Sequence, residues 1–358
     1  MISLHNVEKR YPDGTIAVHG LSLEAPTGKL TVLVGPSGCG KTTTLRMINR
    51  LIPLSSGRIE LDGTDTSHLK DVELRRQIGY VIQNAGLFPH RTALDNVAAL
   101  PILLGAKRRS ARAAAMELLE RVGLNESHAH RYPWQLSGGQ QQRVGVARAL
   151  ATDPPYLLMD EPFSAVDPIM RAQLQDEFLR LQREIGKTIV MVTHDIDEAL
   201  KLGDQVAVLR EGGHLAQLAT PQELLERPGN AFVADFLGGG RGFRALQFAD
   251  SDVSATVHAE QTVLLGEAPA APGWEVVVDN AGAPLGWTDS RGPIRTEDID
   301  VSGTIAVVNG DLRSLLDAAL SSPTGRGLVV DGDGTFLGTV TIQEASDIAA
   351  RHHRGIAA

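Results

Sequence analysis

Cysteine is almost absent from this 358-residue chain, with Cys39 the single example. One cysteine excludes an intrachain disulfide and a thiolate metal cage, and it fits a reducing compartment. Long apolar runs are missing too. The longest candidate, 97–106, contains Pro101 and falls well short of the ~18 residues a membrane span needs. The first residues, MISLHNVEKRYPDG, lack the apolar stretch and cleavage site of a secretory signal. Any membrane role is therefore expected to run through another subunit. A surplus of positive charge is lacking as well. The net charge is −9, which disfavours sequence-independent binding to nucleic acid.

Lysine is missing from the last third. Residues 242–358 hold seven arginines, no lysine and sixteen acids, net −9, whereas residues 1–241 balance at 27 of each sign. So sharp a shift predicts a separate domain after residue 241.

What is present reads as α/β. Apolar runs at 31–34, 80–82, 156–159, 188–192 and 205–209 alternate with helical patterns at 42–51, 110–122, 140–151 and 169–184. Buried strands separated by helices predict a largely parallel sheet, and the mostly helical stretch 90–150 predicts a helical insertion. Gly238-Gly-Gly-Arg-Gly242 predicts a linker. Beyond it, Val277-Val-Asp-Asn-Ala-Gly-Ala-Pro-Leu-Gly286 aligns with Val329-Val-Asp-Gly-Asp-Gly-Thr-Phe-Leu-Gly338 at an offset of 52 residues. Each copy reads as a hairpin, and a helix is expected over 342–350.

Gly35-Pro36-Ser37-Gly38-Cys39-Gly40-Lys41-Thr42 fits GxxxxGK[ST] in full, after an apolar strand and before a helix that begins with Thr42 and Thr43. The glycines let backbone N–H groups face phosphate oxygens, and the helix N-terminus adds positive potential. Lys41 is expected to reach the β- and γ-phosphates of a nucleotide, and the Thr42 hydroxyl to ligate Mg²⁺. Cys39 supplies either a reactive thiol or, as the simpler reading, a small tolerated side chain. Tyr156-Leu-Leu-Met-Asp160-Glu161 is an apolar strand ending in two carboxylates that point opposite ways. Asp160 is assigned to Mg²⁺, and Glu161 to the attacking water.

Leu136-Ser137-Gly138-Gly139-Gln140 opens a helix and forms a second anion site, surplus to one nucleotide within one chain. Through this LSGGQ, residues 1–237 resemble the nucleotide-binding subunits of ABC transporters. The resemblance implies an α/β P-loop ATPase with a mixed sheet and a helical subdomain, working as a head-to-tail pair with a second copy of itself. Each LSGGQ then closes over the partner's ATP. It implies further roles. Tyr11 stacks on adenine. Gln83 contacts Mg²⁺ and water. Asp167, in Ser164-Ala-Val-Asp167, lies in the dimer-contact loop. His194 approaches the γ-phosphate. Val166 stands where leucine is commoner in that loop.

Longer segments, Tyr80–His90, Met159–Pro168 and Val192–Leu202, resemble the ATPases of quaternary-amine (glycine betaine, choline, carnitine) importers. That branch implies peripheral attachment to membrane permease subunits at the cytoplasmic face of the inner membrane, and an indirect link to an extracytoplasmic solute-binding protein. It also implies a smaller α+β tail of paired CBS-like units at 243–358, the first copy degenerate, that gates transport by sensing ionic strength or a nucleotide; a folded dimerisation or spacer domain is the alternative reading. An anionic extension known in the branch is not expected, since the last residues include Arg351-His-His-Arg354. Three alternatives stand beside this reading: an importer ATPase for another small solute, a non-transport ABC ATPase, and a binding-only regulator. A single ATPase unit and one cysteine oppose the second. Intact Lys41, Asp160, Glu161 and His194 oppose the third.

Overall fold

The computed structural model describes residues 1–356 other than 84, 165 and 250–256, with the side chains of 168, 169 and 352–356 also outside the description. The motif residues Asn84 and Ala165 and the side chains of the basic end, 352–354, therefore lie outside the described residues. The chain divides into two compact units, Met1–Leu237 and Gly238–Ala358.

Among the described residues, the first unit carries ten strands: β1 (Ile2–Arg10), β2 (Ile16–Ala25), β3 (Leu30–Val34), β4 (Ser56–Leu61), β5 (Thr64–Asp65), β6 (Ile78–Val81), β7 (Tyr156–Asp160), β8 (Thr188–Thr193), β9 (Gln205–Arg210) and β10 (His214–Ala219). Six of them form a sheet in the order β10-β9-β3-β8-β7-β6, parallel throughout except for β10. Every residue of β3, β7 and β8 is buried. Such strands need apolar side chains on both faces, which is why they read as unbroken runs. The sheet is thus largely parallel, as its apolar runs predict. A second sheet, β2-β1-β4-β5, is antiparallel and supplies the mixed character that the family resemblance implies, though no apolar run in the sequence marks it. Its strands alternate buried and exposed residues and break register at several bulges, which blurs the pattern. Buried residues from both sheets and from helix Lys41–Ile48 share one apolar cluster, including Leu4, Leu21, Leu45 and Val192.

Between β6 and β7 lies the helical part, with helices Ala93–Leu103, Arg108–Arg121, Glu126–Ala129 and Gly138–Leu150. Among the described residues, no helix is long and apolar enough to cross a membrane.

The second unit begins with Gly238–Gly240. The predicted linker is shorter than its glycines suggest, because Gly240 caps a helix that already includes Arg241 (Arg241–Ala245). Two three-stranded sheets follow: β11 (Thr262–Leu264), β12 (Glu275–Val278) and β13 (Pro284–Thr288), then β14 (Ile305–Val307), β15 (Arg326–Val330) and β16 (Phe336–Thr341). In each sheet the first pair is parallel and the second antiparallel. Val277 pairs with Gly286, and Val329 with Gly338; both hairpins then slip by one residue at the next position. The aligned segments therefore share a register down to the bulge. The second copy adds helices Leu312–Ser321 and Ile342–Ile356, whereas residues 265–274 of the first copy contain no helix. The segments preceding the two copies cross over. His258 bridges to Thr339 of the second sheet, and Asp300 bridges to Trp287 of the first.

Candidate active site

Strands β6, β7, β8 and β3 are successive neighbours and run parallel, so their carboxyl ends deliver four loops to one edge of the sheet. That edge is where ligands bind in open α/β sheets. β3 feeds Gly35–Gly40, β7 ends at Asp160, β8 leads to His194 and β6 leads to Gln83.

The phosphate loop is tightly seated. Gly40 has φ +95°, and a β-carbon there would lie 2.2 Å from the Ala17 carbonyl oxygen. At Gly35 it would lie 2.3 Å from the Leu209 carbonyl oxygen. Lys41 is buried and folds back, donating to the carbonyls of Gly35 (2.7 Å) and Pro36 (2.9 Å). Its Nζ also lies 3.7 Å from Cys39 Sγ. Burial pushes the Cys39 thiol up, the neighbouring Lys41 charge only partly opposing it. That favours the inert, space-filling reading of this cysteine.

The Thr42 hydroxyl donates to Asp160 Oδ1 at 2.8 Å. Burial pushes the Asp160 carboxyl up, against the Thr42 hydrogen bond and the Arg46 charge. Tyr80 is pushed up to about 12, chiefly by burial and then by Asp160. Glu161 adopts φ +47°, a sparsely populated conformation for a residue with a β-carbon, and its N–H donates to the Val192 carbonyl at 3.0 Å. Its Oε2 accepts from Gln83 Nε2 at 3.0 Å and lies 3.2 Å from His194 Nδ1. Six predicted residues, Lys41, Thr42, Gln83, Asp160, Glu161 and His194, therefore gather at this edge. Thr42 Oγ1 and the Asp160 carboxylate are hard oxygen donors 2.8 Å apart, while the Gln83 amide donates to the neighbouring Glu161. This set suits Mg²⁺, which is held by one or two protein oxygens plus phosphate and water.

Ser137–Gln140 forms a separate site at the start of helix Gly138–Leu150. Ser137 Oγ accepts from the Gln140 N–H, and Gln140 Oε1 accepts from the Ser137 N–H at 3.0 Å, a reciprocal cap. Asp167 lines the same cleft as Ser137, Gly138, Gly139 and Gln140, and caps helix Pro168–Ile185 by accepting from the Met170 N–H. Tyr11 is exposed in a Tyr11–Gly14 turn, with Lys9 Nζ 5.2 Å from its ring centre. Among the described residues, no hydrogen bond joins Tyr11 or Ser137–Gln140 to the phosphate loop.

Sequence reasoning missed residues that support these motifs. Gln142 Nε2 donates to the Gln83 carbonyl at 2.6 Å. Arg148 donates to the carbonyls of Ala85 and Gly86. His128 Nε2 lies 3.2 Å from Gln140 Nε2. No pattern in the sequence marks them: the acceptors of Gln142 and Arg148 are backbone carbonyls.

A phosphate cradle, a carboxylate poised beside an amide and an imidazole, and a second anion turn facing outward together define an ATP-binding cassette. The family profile described as ABC transporter matches residues 18–164. The osmoprotectant import ATP-binding protein OsmV of Salmonella typhimurium is 43% identical over 97% of this chain and 96% of its own. The glycine betaine/carnitine/choline transport ATP-binding protein OpuCA of Bacillus subtilis is 52% identical over 66% of this chain and 62% of its own. Among solved structures, the dimeric ATP-binding cassette MJ0796 in a post-hydrolysis state bound to ADP and Pi superposes with a TM-score of 0.56. It is 38% identical, covering 62% of this chain and 99% of that one. The chain belongs to the ATP-binding subunits of ABC transporters.

Proposed function

We infer that this chain hydrolyses ATP to energise uptake of quaternary-amine osmoprotectants through separate membrane permease subunits. It would sit peripherally on the cytoplasmic face of the inner membrane and be served indirectly by an extracytoplasmic solute-binding protein. The observation that carries the catalytic reading is the position of Glu161, held between the Gln83 amide and the His194 ring at the carboxyl edge of the sheet. The solute class rests on the likeness to OsmV, which extends along nearly the whole of both chains.

Lys41 would leave the carbonyls of Gly35 and Pro36 and turn its charge to the β- and γ-phosphates, while the loop N–H groups and those of Lys41, Thr42 and Thr43 bind the phosphate oxygens. Thr42, Asp160 and Gln83 would hold Mg²⁺, which offsets charge on the phosphates. Glu161 would orient the attacking water and accept its proton, with the Gln83 amide fixing the carboxylate. His194 would add a donor toward the γ-phosphoryl oxygens. Tyr11 would stack on the base. Ser137–Gln140 and Asp167 would complete the site of a second copy, so turnover would require a closed head-to-tail pair.

The test is Glu161→Gln. Expected is loss of ATP turnover with nucleotide binding retained; unchanged turnover refutes the assignment. A screen of solutes for stimulation of the ATPase, with the permease and binding protein present, tests the substrate class.

The second unit is proposed to be a CBS-like regulatory pair. The shared register of the two hairpins and the β-α-β-β-α order of the second copy support this. The net −9 of residues 242–358 suggests a response to ionic strength, because the Debye length falls from about 10 Å at 0.1 M to about 3 Å at 1 M salt. Deleting 242–358 should alter the salt dependence of ATP-driven uptake, and an unaltered dependence would overturn the role.

A further inference from the structure

Helix Gly138–Leu150 carries the Ser137–Gln140 turn at its start and grips the Gln83 loop along its side. Gln142, two residues past Gln140, is only 5% exposed. Its Nε2 donates to the Gln83 carbonyl at 2.6 Å. The Gln83 side chain in turn donates to Glu161 Oε2 at 3.0 Å. Further along the same helix, Arg148 holds the carbonyls of Ala85 and Gly86. A β-carbon added to Gly145 would touch Ala85 at 3.4 Å. Gln83, Ala85 and Gly86 are thus all tied to this helix.

Gln142 is an odd choice if its purpose is stability. Its Oε1 is buried and has no hydrogen-bond partner. Beside it, Val146, Pro162, Phe163 and Phe178 line an apolar pocket. An apolar side chain of the same shape would avoid the cost of that unsatisfied oxygen. What such a side chain could not do is donate to Gln83. Turning the amide over would set oxygen against oxygen, so the orientation is fixed.

We propose that Gln142 is a positioning residue that links the Ser137–Gln140 turn to Glu161 through Gln83. The proposal rests on the reading that Ser137–Gln140 engages the ATP of a second copy and that Glu161 acts on the chain's own ATP. Engagement of the turn moves the start of the helix. Gln142 carries that movement to the Gln83 backbone, and the Gln83 amide resets the carboxylate. One protomer's nucleotide then informs the catalytic carboxylate of the other site, and hydrolysis becomes cooperative.

The experiment uses the full chain assembled with its permease subunits, and measures ATPase rate against ATP concentration, nucleotide affinity and thermal stability. Gln142→Met keeps the shape and removes the donor. Expected is a kcat lowered roughly threefold to tenfold, the worth of one hydrogen bond. The sigmoidal ATP dependence should flatten, with nucleotide affinity and melting temperature kept. Gln142→Leu, similar in size and without any donor, must behave likewise, and it carries the test if the methionine variant fails to fold. In a Gln83→Ala background, where the carbonyl remains but the amide is gone, Gln142→Met should add nothing. Wild-type cooperativity in both variants, or additive losses in the double variant, would overturn the proposal. Glu161→Gln separates the two levels. If that variant still turns over ATP, the reading of the site falls. If it is dead while both Gln142 variants behave as wild type, only the link falls.

Discussion

The Thr42 hydroxyl donates to the Asp160 carboxylate at 2.8 Å across 118 residues of chain. The bond fastens the start of the first helix to the end of β7 and sets side by side the two oxygens proposed to hold Mg²⁺. Thr42→Val should raise the Mg²⁺ concentration for half-maximal turnover roughly 10–100-fold, as loss of a metal-supporting contact does. A Mg²⁺ titration of the ATPase checks this, and an unshifted midpoint counts against the assignment.

Gly40 has a positive φ and no room for a β-carbon. Gly40→Ala should therefore destabilise the first unit by about 2–4 kcal/mol through strain and the clash with the Ala17 carbonyl. Denaturant unfolding gives the number. Nucleotide binding should fall with it, because the alanine pushes the loop off β2. At Gly38, where φ is +79° but no atom lies within 4 Å, alanine should cost less.

Glu344 is held down at about 2, from an ordinary 4.5, first by the His258 hydrogen bond and then by Thr341. A depressed carboxylate stabilises the fold above its unfolded value and loses that contribution as pH falls through the folded one. The advantage of the wild-type chain over Glu344→Gln should be full above pH 4.5 and fade between 4.5 and about 2. Thermal melts of both chains, followed by the emission of Trp274 and Trp287, test this; an advantage that grows on acidification would contradict it.

Gly286 and Gly338 occupy matching places in the two hairpins. A β-carbon at Gly286 would lie 2.4 Å from the Asp300 carbonyl oxygen, and at Gly338 2.3 Å from that of His258. Alanine at either position should break a cross-bridge. Hydrogen exchange should then quicken at Trp287 and Asp300 in Gly286→Ala, and at His258 and Thr339 in Gly338→Ala. Confinement of the effect to the mutated copy would contradict the crossed arrangement.

How much of this was legible follows from where each feature is encoded. The phosphate loop is local: its glycines, Lys41 and Thr42 are contiguous and flanked by a strand and a helix. The buried strands β3, β7 and β8 are equally local, because apolar runs on both faces leave a plain trace. Gln83 and His194 needed the family resemblance, since an isolated glutamine or histidine carries no pattern of its own. The antiparallel sheet of β1, β2, β4 and β5 left a broken trace, for its bulges interrupt alternation. Gln142 and Arg148 were illegible, because their acceptors are backbone carbonyls some sixty residues away, and any sequence supplies carbonyls. In the tail, Val277–Gly286 and Val329–Gly338 announced a repeat. The crossing of His258 and Asp300 did not, since a single backbone bridge asks little of its side chains.

That crossing has a consequence for descent. Each copy's leading segment is sewn into the other copy's sheet, so neither copy is a module that a gene could lose alone. Deleting the first would strip His258 from β16, and deleting the second would strip Asp300 from β13. The first copy lacks the helix its counterpart has between its first two strands, yet it still carries the strand that Asp300 bridges. Lineages of this chain should keep the pair or drop both together.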